Sequence, residues 1–283
     1  MRYDLHIHTA ASDGSDTPAQ LAEKVREAGL ELFSVTDHDT IEGALAMEER
    51  IPRGVGYIRG VEFSCVSPGG KCHILGYGYD PAHPKFRAAL EEGAQLRREK
   101  LERRLIHLRE KFGIDLTENE LGWLHSRKSP GKPHLGKLLL DRELASDMNG
   151  AIKTYLTGVP GRDRIESKTA IDAIRASGGI AVWAHPLGGE GEKRLTEETF
   201  EQQLAVLLTE GVQGLECHYS RYSRAESRFL LRRAHSHGLI VTGGSDYHGV
   251  NKKGIVLGQL GTENADWSID TGLLSGIILQ KAR

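Results

Sequence analysis

His6 and His8 stand two residues apart in a short apolar run, and the period of two in a strand puts both imidazoles on one face, where they can grip a single cation. An isolated His-x-His pair says little, because a solvated strand carries it equally well. Further donors follow along the chain. Asp13 lies in the glycine-containing loop after that run, and His38 closes a second run between Asp37 and Asp39, carboxylates that can ligate directly or orient the ring. Glu62 ends a third run and His73 opens a fourth, which places both near one mouth if the strands are parallel. His185 follows a later run in Ala184-His185-Pro186, and Asp246 and His248 repeat the two-residue spacing after Gly243-Gly244, where glycine permits tight turns. These six imidazoles and three carboxylates are more than one cation needs. A mixed nitrogen and oxygen set without thiolates suits zinc, manganese or iron in a multinuclear cluster.

Such scattered donors need a scaffold that gathers strand ends. Short apolar runs at residues 3–8, 32–36, 57–63 and 72–77 alternate with helical patterns in the first third of the chain. Thr17-Pro18 is a good helix start, and Leu21, Ala22, Val25 and Ala28 share one face before Gly29. Residues 84–111 break the rhythm with a long charged helical pattern, and helical segments continue to about residue 156. The alternation then returns: strands at 180–183, 212–217 and 239–242, helices at 169–176, 196–208 and 223–236, a short run at 255–257 and a closing helix near 271–279. About seven βα units fit a barrel or a doubly wound sheet. Catalytic groups of barrels come from the C-terminal ends of many strands, so the scatter of donors favours the barrel.

Composition narrows the function. With 283 residues, 39% hydrophobic and 27% charged, the chain can bury a sizeable core. Thirty-seven basic against thirty-nine acidic side chains give a formal charge of −2, so no global positive field exists to hold long nucleic acid. No stretch is apolar enough to span a bilayer, and the first residues do not read as a secretory signal, so a cytoplasmic location is expected. Cys65, Cys72 and Cys217 form no paired framework, which fits a reducing compartment and small buried hydrophobes.

The motifs Asp4-Leu5-His6-Ile7-His8-Thr9, Thr36-Asp37-His38-Asp39-Thr40, Gly60-Val61-Glu62, the strand with His73, Ala184-His185-Pro186 and Gly244-Ser245-Asp246-Tyr247-His248 span nearly the whole chain. Together they resemble the polymerase and histidinol phosphatase (PHP) superfamily of metal-dependent phosphoesterases. That resemblance implies an α/β fold, a distorted (β/α)7 barrel of amidohydrolase-like type formed by residues 1–83 and 160–283, with 84–159 as a helical insertion covering the site. It implies three divalent ions, Mn2+, Zn2+ or Fe2+. The first would take His6, His8, Glu62 and Asp246; the second would share Glu62 and add His73 and His185; the third would use Asp13, His38 and His248. The insertion and motif order are closest to the branch of nucleoside 3′,5′-bisphosphate phosphatases and small-RNA trimming enzymes.

The expected activity is hydrolysis of small phosphate esters, nucleoside or sugar bisphosphates, by hydroxide generated between metals, so no serine or cysteine nucleophile is needed. One site could open a cyclic phosphodiester and then cleave the monoester. The alternatives are 5′ to 3′ trimming of short RNA, histidinol phosphate hydrolysis, amide hydrolysis and a non-enzymatic metal-stabilised module. In the insertion, Arg98 and Lys100 are candidates to hold a second phosphate, and His134 is the candidate substrate contact and proton donor. Arg162, Arg164, Lys168 and Arg221 are weaker candidates, and Trp123 and Trp183 read as packing residues. No membrane and no obligate protein partner are expected.

Overall fold

The computed structural model describes residues 1–189 and 193–262, and the backbone of residues 279 and 280. Strand β1 (Tyr3–Ile7) is buried along its whole length. Helix α1 (Pro18–Glu27) begins where the Thr17 side chain and Gln20 cap one another reciprocally, and it buries Leu21, Ala22 and Val25. β2 (Leu32–Val35), α2 (Glu42–Glu48), β3 (Gly56–Ser67) and β4 (Gly70–Tyr77) follow. After the helices α3 (Pro84–Phe112), α4 (Glu118–His125), α5 (Lys132–Asp141) and α6 (Met148–Tyr155) comes β5 (Ile165–Glu166), which pairs with β3. The alternation resumes with α7 (Ser167–Ala176), β6 (Ile180–Trp183), α8 (Glu197–Glu210), β7 (Gly214–Tyr219), α9 (Arg224–Ser236) and β8 (Ile240–Gly244).

Seven strands form a nearly closed barrel in the order β1-β2-β3-β4-β6-β7-β8. The seam between β8 and β1 is joined just beyond β8, where Asp246 N–H donates to the His6 carbonyl at 2.8 Å and His8 N–H donates to the Tyr247 carbonyl at 2.9 Å. Gly244 makes this seam possible, because a Cβ there would lie 2.2 Å from that of His6.

The parallel expectation fails at one strand. β4 runs antiparallel to both β3 and β6, whereas β1, β2 and β3 are mutually parallel, as are β6, β7 and β8. The hairpin is what brings His73 to the mouth: it sits near the start of a returning strand, paired in register with Ser64, two residues past Glu62. A parallel β4 would have put His73 at the opposite end.

The helical segment from residue 84 onward holds a small core of its own. The first turns of α3 pack Phe86, Ala89 and Leu96 on the barrel, while Leu101 and Leu108 join Leu124, Leu135, Leu139 and Leu156 in a separate cluster. Burying each such leucine contributes about 1.5–3 kcal/mol, so the segment keeps its shape over the barrel. Gly113 stops α3 in the left-handed conformation, φ 65°. Residues 255–257 form no strand, although Ile255 and Leu257 are buried against the N-terminal strands. The closing helix near 271–279 lies outside the described residues except for Leu279, which with Gln280 forms β9 (Leu279–Gln280), antiparallel to β3. Among the described residues no helix is long and apolar enough to cross a membrane.

Candidate metal centre

All nine donors singled out in the sequence meet at one mouth of the barrel: Glu62 from the middle of the long β3, His73 from the first half of the antiparallel β4, and the others from the ends of parallel strands or the loops that follow them. Glu62 lies at the centre. One of its oxygens is 2.8 Å from His73 Nδ1 and 3.2 Å from His185 Nε2; the other is 3.2 Å from both His6 Nε2 and His8 Nε2 and 3.0 Å from His38 Nδ1. Asp246 Oδ1 is 3.3 Å from His8 Nε2 and 3.6 Å from His6 Nε2. Asp13 faces His248 Nε2 at 3.2 Å, His8 Nδ1 at 3.7 Å and His38 Nε2 at 3.9 Å.

The backbone is shaped to aim these groups. Asp39, His185 and Asp246 adopt positive φ angles of 50°, 28° and 58°, a region uncommon for residues with a Cβ, and all three follow barrel strands at the mouth. Buried carboxylates outside the donor set hold the loops. Asp37 accepts from Thr9 N at 2.8 Å, Thr9 Oγ1 at 2.6 Å and Ser12 Oγ at 2.5 Å. Asp4 accepts from Ser245 N at 2.8 Å and from Ser245 Oγ at 2.5 Å. Asp39 accepts from Ser64 N at 2.9 Å and Arg97 Nε at 2.5 Å.

Glu216, on β7, is the buried group that sequence reading missed. Its Oε1 lies 3.0 Å from His6 Nδ1 and its Oε2 accepts from His185 N at 2.7 Å. A carboxylate on Nδ1 fixes the proton there and turns the Nε2 lone pair of His6 toward Glu62. The available signal was an acid inside an otherwise apolar strand, Leu215-Glu216-Cys217, whose end reaches the mouth. Asp246 is similarly held: Tyr219 donates to its Oδ2 at 3.0 Å and Lys252 at 2.6 Å, leaving Oδ1 for the imidazoles.

The donors fit divalent cations better than they fit one another. His8 Nδ1, His38 Nδ1, Glu62 Oε2 and His248 Nε2 are buried without a hydrogen-bond partner of acceptable geometry, although other donors lie close by. Burial would raise the carboxyl pKa of Glu62, yet His38, His6 and His73 hold it well below the usual range; Lys252, His248 and His6 do the same for Asp246. Burial keeps His38, His73 and His248 on the neutral side. Burial also acts to lower His8, but Asp246 and Glu62 outweigh it and lift the ring to about 9. A proton on that ring meets a demand for positive charge that a cation between the carboxylates would meet instead. Three tight groups occur: His8, Asp13, His38 and His248; His6, His8 and Asp246; and His38, Glu62 and His73.

The helices beyond β4 contribute differently from expectation. Arg98 is exposed and bonded to Glu91, facing away from the mouth. Its neighbour Arg97 turns inward to Asp39 and Ser64. Lys100 is ion-paired with Asp163. His134 is buried at the start of α5, where its Nδ1 accepts from Gly131 N at 3.0 Å and the Ser12 backbone carbonyl faces the ring. Its ring is therefore a tie between the insertion and the Asp13 loop, neutral and hydrogen-bonded to backbone. Arg162 and Lys168 are exposed and paired with Glu92 and Asp172, Arg164 donates to the Cys72 carbonyl, and Arg221 to that of Lys253. Trp183 stacks on Phe200 in the core, and Trp123 lies under Arg127. All three cysteines are free and buried.

A cavity of about 360 Å3 opens beside His73 and His185, walled by Trp183 and Leu195 and edged by Lys71 and Arg164. An imidazole and carboxylate mouth of this kind on a distorted barrel, with the side chains of Lys71 and Arg164 at the rim of the adjoining cavity, defines a metal-dependent phosphoesterase. The comparisons agree. The PHP domain family matches residues 4–126. A 3′,5′-nucleoside bisphosphate phosphatase of Chromobacterium violaceum is 28% identical over 261 residues, 90% of either chain, and the 5′-3′ exoribonuclease Rnm of Salmonella typhimurium is 33% identical over 254 residues, 87% of this chain and 85% of that one. A Bifidobacterium adolescentis structure, described as a candidate metal-dependent phosphoesterase, superposes with a TM-score of 0.79 at 25% identity, covering 97% of this chain and 94% of its own. The chain belongs to the PHP family.

Proposed function

We propose that the protein hydrolyses small, nucleotide-like phosphate esters bearing two phosphates, using three divalent cations held by the nine mouth residues. The observation that carries this reading is the convergence on Glu62 of five imidazoles from four strand ends, with ligand atoms left unpartnered in a buried site. The donor sets are those the family resemblance implies: His6, His8, Glu62 and Asp246 for one cation, Glu62, His73 and His185 for a second, and Asp13, His38 and His248 for a third; the close groupings of His6, His8 and Asp246 and of Asp13, His38 and His248 support the first and third, while His38 also lies 3.0 Å from Glu62. Cations bound there would supply charge neutralisation for the phosphoryl oxygens and acidify the attacking water.

The chain's own groups do the rest. Glu216 fixes the His6 ring and the His185 backbone, and Lys252 and Tyr219 restrict Asp246 to one ligating oxygen. Arg97 braces Asp39 and Ser64 above Glu62, and the insertion narrows the approach for bulk water. His134 positions the Asp13 loop, a role its backbone bonds support over proton donation. The Salmonella relative supports a second reading, stepwise 5′ to 3′ trimming of short RNA, which uses the same hydrolytic centre.

Phosphate release from a nucleoside 3′,5′-bisphosphate, the two monophosphates, histidinol phosphate, a cyclic phosphodiester and a 5′-phosphorylated short RNA, each with manganese, tests both readings. The first expects the bisphosphate to be turned over fastest. Preferential shortening of the RNA with little release from the bisphosphate would replace it with the second, and no turnover of any ester would remove both. Metal analysis of the purified protein is expected to give three ions per chain.

A further inference from the structure

His185 is aimed by its backbone, and that backbone is tied down from one side. Its φ of 28° lies in a region that residues with a Cβ keep only where the surroundings leave no alternative. The residue opens a tight turn: its N–H donates to Glu216 Oε2 at 2.7 Å and its carbonyl accepts from Gly188 N at 2.8 Å. Two side chains hold the rest of the turn. The Leu187 N–H donates to the Tyr222 hydroxyl at 2.7 Å, and the Gly188 carbonyl accepts from Arg194 Nη1 at 2.5 Å.

These two side chains form one unit. The Arg194 guanidinium lies over the Tyr222 ring, 4.9 Å from its centroid, and its other nitrogens are committed as well: Nη2 donates to the Arg221 carbonyl at 2.8 Å and Nε to Glu226 Oε1 at 3.1 Å. Glu226 in turn caps α9, accepting from Ser223 N at 2.7 Å and Ser223 Oγ at 2.8 Å. One arginine therefore staples the loop after β6 to the loop after β7 and to the start of α9. Packing does not call for this. Arg194 is half-buried, and a surface ion pair such as that with Glu226 stabilises a fold only slightly. A planar guanidinium is suited to several fixed acceptors at once, which a lysine is not.

The contrast with His6 shows what such a staple does. On His6 a carboxylate, Glu216, occupies Nδ1 and fixes the ring from behind. The His185 ring is bonded through Nε2 to Glu62 at 3.2 Å, and among the described residues no side chain bonds its other nitrogen. Its direction must come from the turn. We propose that Arg194 and Tyr222 are positioning residues that act through the turn of His185, setting how tightly the cation of Glu62, His73 and His185 is held while leaving the other two ions alone. The inference rests on the three-cation reading above and names what governs one of those sites.

The test is a manganese-binding isotherm of the metal-stripped full chain, measured by equilibrium dialysis with metal analysis, for the wild type, Tyr222→Phe, Arg194→Met and Arg194→Lys. In each variant two ions should bind as in the wild type and one about 10- to 100-fold more weakly, the range expected when a group that orients a metal ligand is removed. Arg194→Lys keeps the charge and loses the fork, so it should resemble Arg194→Met. Turnover should follow the isotherm: kcat falls at limiting manganese and recovers in excess, with KM for the ester unchanged. A merely structural role would lower the melting temperature of the metal-stripped variants and leave the isotherm as it was. Equal weakening of all three ions, weakening of none, or an Arg194→Lys variant indistinguishable from wild type would overturn the proposal. Should Tyr222→Phe fail to melt cooperatively, Arg194→Met, nearer the surface, decides alone. The wild type judges the parent reading separately. Fewer than three ions bound removes the three-cation reading, and three ions with no turnover of any ester removes the phosphoesterase reading, while the difference between variant and wild-type isotherms still judges Arg194 and Tyr222.

Discussion

The barrel mouth and helix α3 carry their charged residues differently: acids and imidazoles converge at the mouth, whereas the cations of α3 point in several directions. At the mouth, Glu62, Asp246 and Asp13 sit among imidazoles with several ligand atoms unpartnered, an arrangement that asks for cations. On α3, Arg97 turns in to Asp39 and Ser64, Arg104 is buried, and Arg98 stays in solvent with Glu91. The two regions also differ in construction. The mouth is held by strands whose backbone is locked into the barrel, while the later turns of α3 pack into the small core that the helices share.

The largest break of this comparison removes the centre of the mouth. Glu62→Gln keeps the shape of the side chain and takes away its charge, so cations that share the residue should be lost. Turnover is expected to fall by at least about 10³-fold, because charge stabilisation by metals contributes several kcal/mol to the barrier. Metal content measured on the same sample should drop with it; full metal occupancy with lost activity would assign Glu62 a role other than ligation. Chelation of the wild type should act in the same direction, abolishing turnover and lowering the melting temperature by mass action, with manganese restoring both.

A smaller effect sharpens the mouth from beneath. Glu216 touches no donor atom that faces the cluster, only His6 Nδ1 and the His185 amide. Groups of this kind tune ligand basicity and orientation, so Glu216→Gln should weaken metal affinity about 10- to 100-fold while excess manganese largely restores kcat. A loss that no manganese concentration repairs would place Glu216 in direct contact with the reacting groups.

How much of this could be seen in the sequence follows from the same contrast. The nine mouth residues were legible because strand periodicity fixes faces and strand ends fix position, so His-x-His and Asp-x-His spacings carry spatial information. The barrel itself was legible for the same reason, apart from β4, whose direction depends on a two-residue turn at Pro68-Gly69 that the apolar run does not encode. Glu216 was hidden because one acid in an apolar strand has no partner pattern until β7 is placed between β6 and β8, where its side chain reaches His6 of β1. The inward-facing cations of α3 were the least legible. Arg97, Arg98, Lys100 and Arg104 lie within eight residues of one charged helix, and which of them faces inward depends on the angle at which α3 leaves the barrel. The structure turns Arg97 and Arg104 in and leaves Arg98 with Glu91 in solvent.

His134 gives a moderate effect that separates two roles. Its Nδ1 accepts from the Gly131 amide at the start of its own helix, and the Ser12 carbonyl faces the ring, so the side chain ties α5 to the Asp13 loop. His134→Ala should lower kcat/KM about tenfold through a loosened loop, with the shape of the kcat against pH profile unchanged, and His134→Asn, which can still accept from Gly131, should recover most of the loss. Disappearance of the basic limb of the profile, with no recovery by asparagine, would instead make His134 the proton donor to the leaving group.

The smallest expected effect is the one that most directly tests the contrast between neighbouring cations. Arg98 is exposed and its bond to Glu91 is a surface pair, a kind of interaction that contributes only about 0–1 kcal/mol. Arg98→Ala should therefore leave kcat and KM for a bisphosphate within about twofold of wild type, whereas Arg97→Ala, which releases Asp39 and Ser64 beside Glu62, should cost at least about tenfold in kcat/KM. Charge alone would make the two substitutions equivalent, since each removes one guanidinium from adjacent positions. Only the direction each side chain takes from α3 separates them, so a similar loss for both would mean that the inward bonds of Arg97 to Asp39 and Ser64 do not position Glu62.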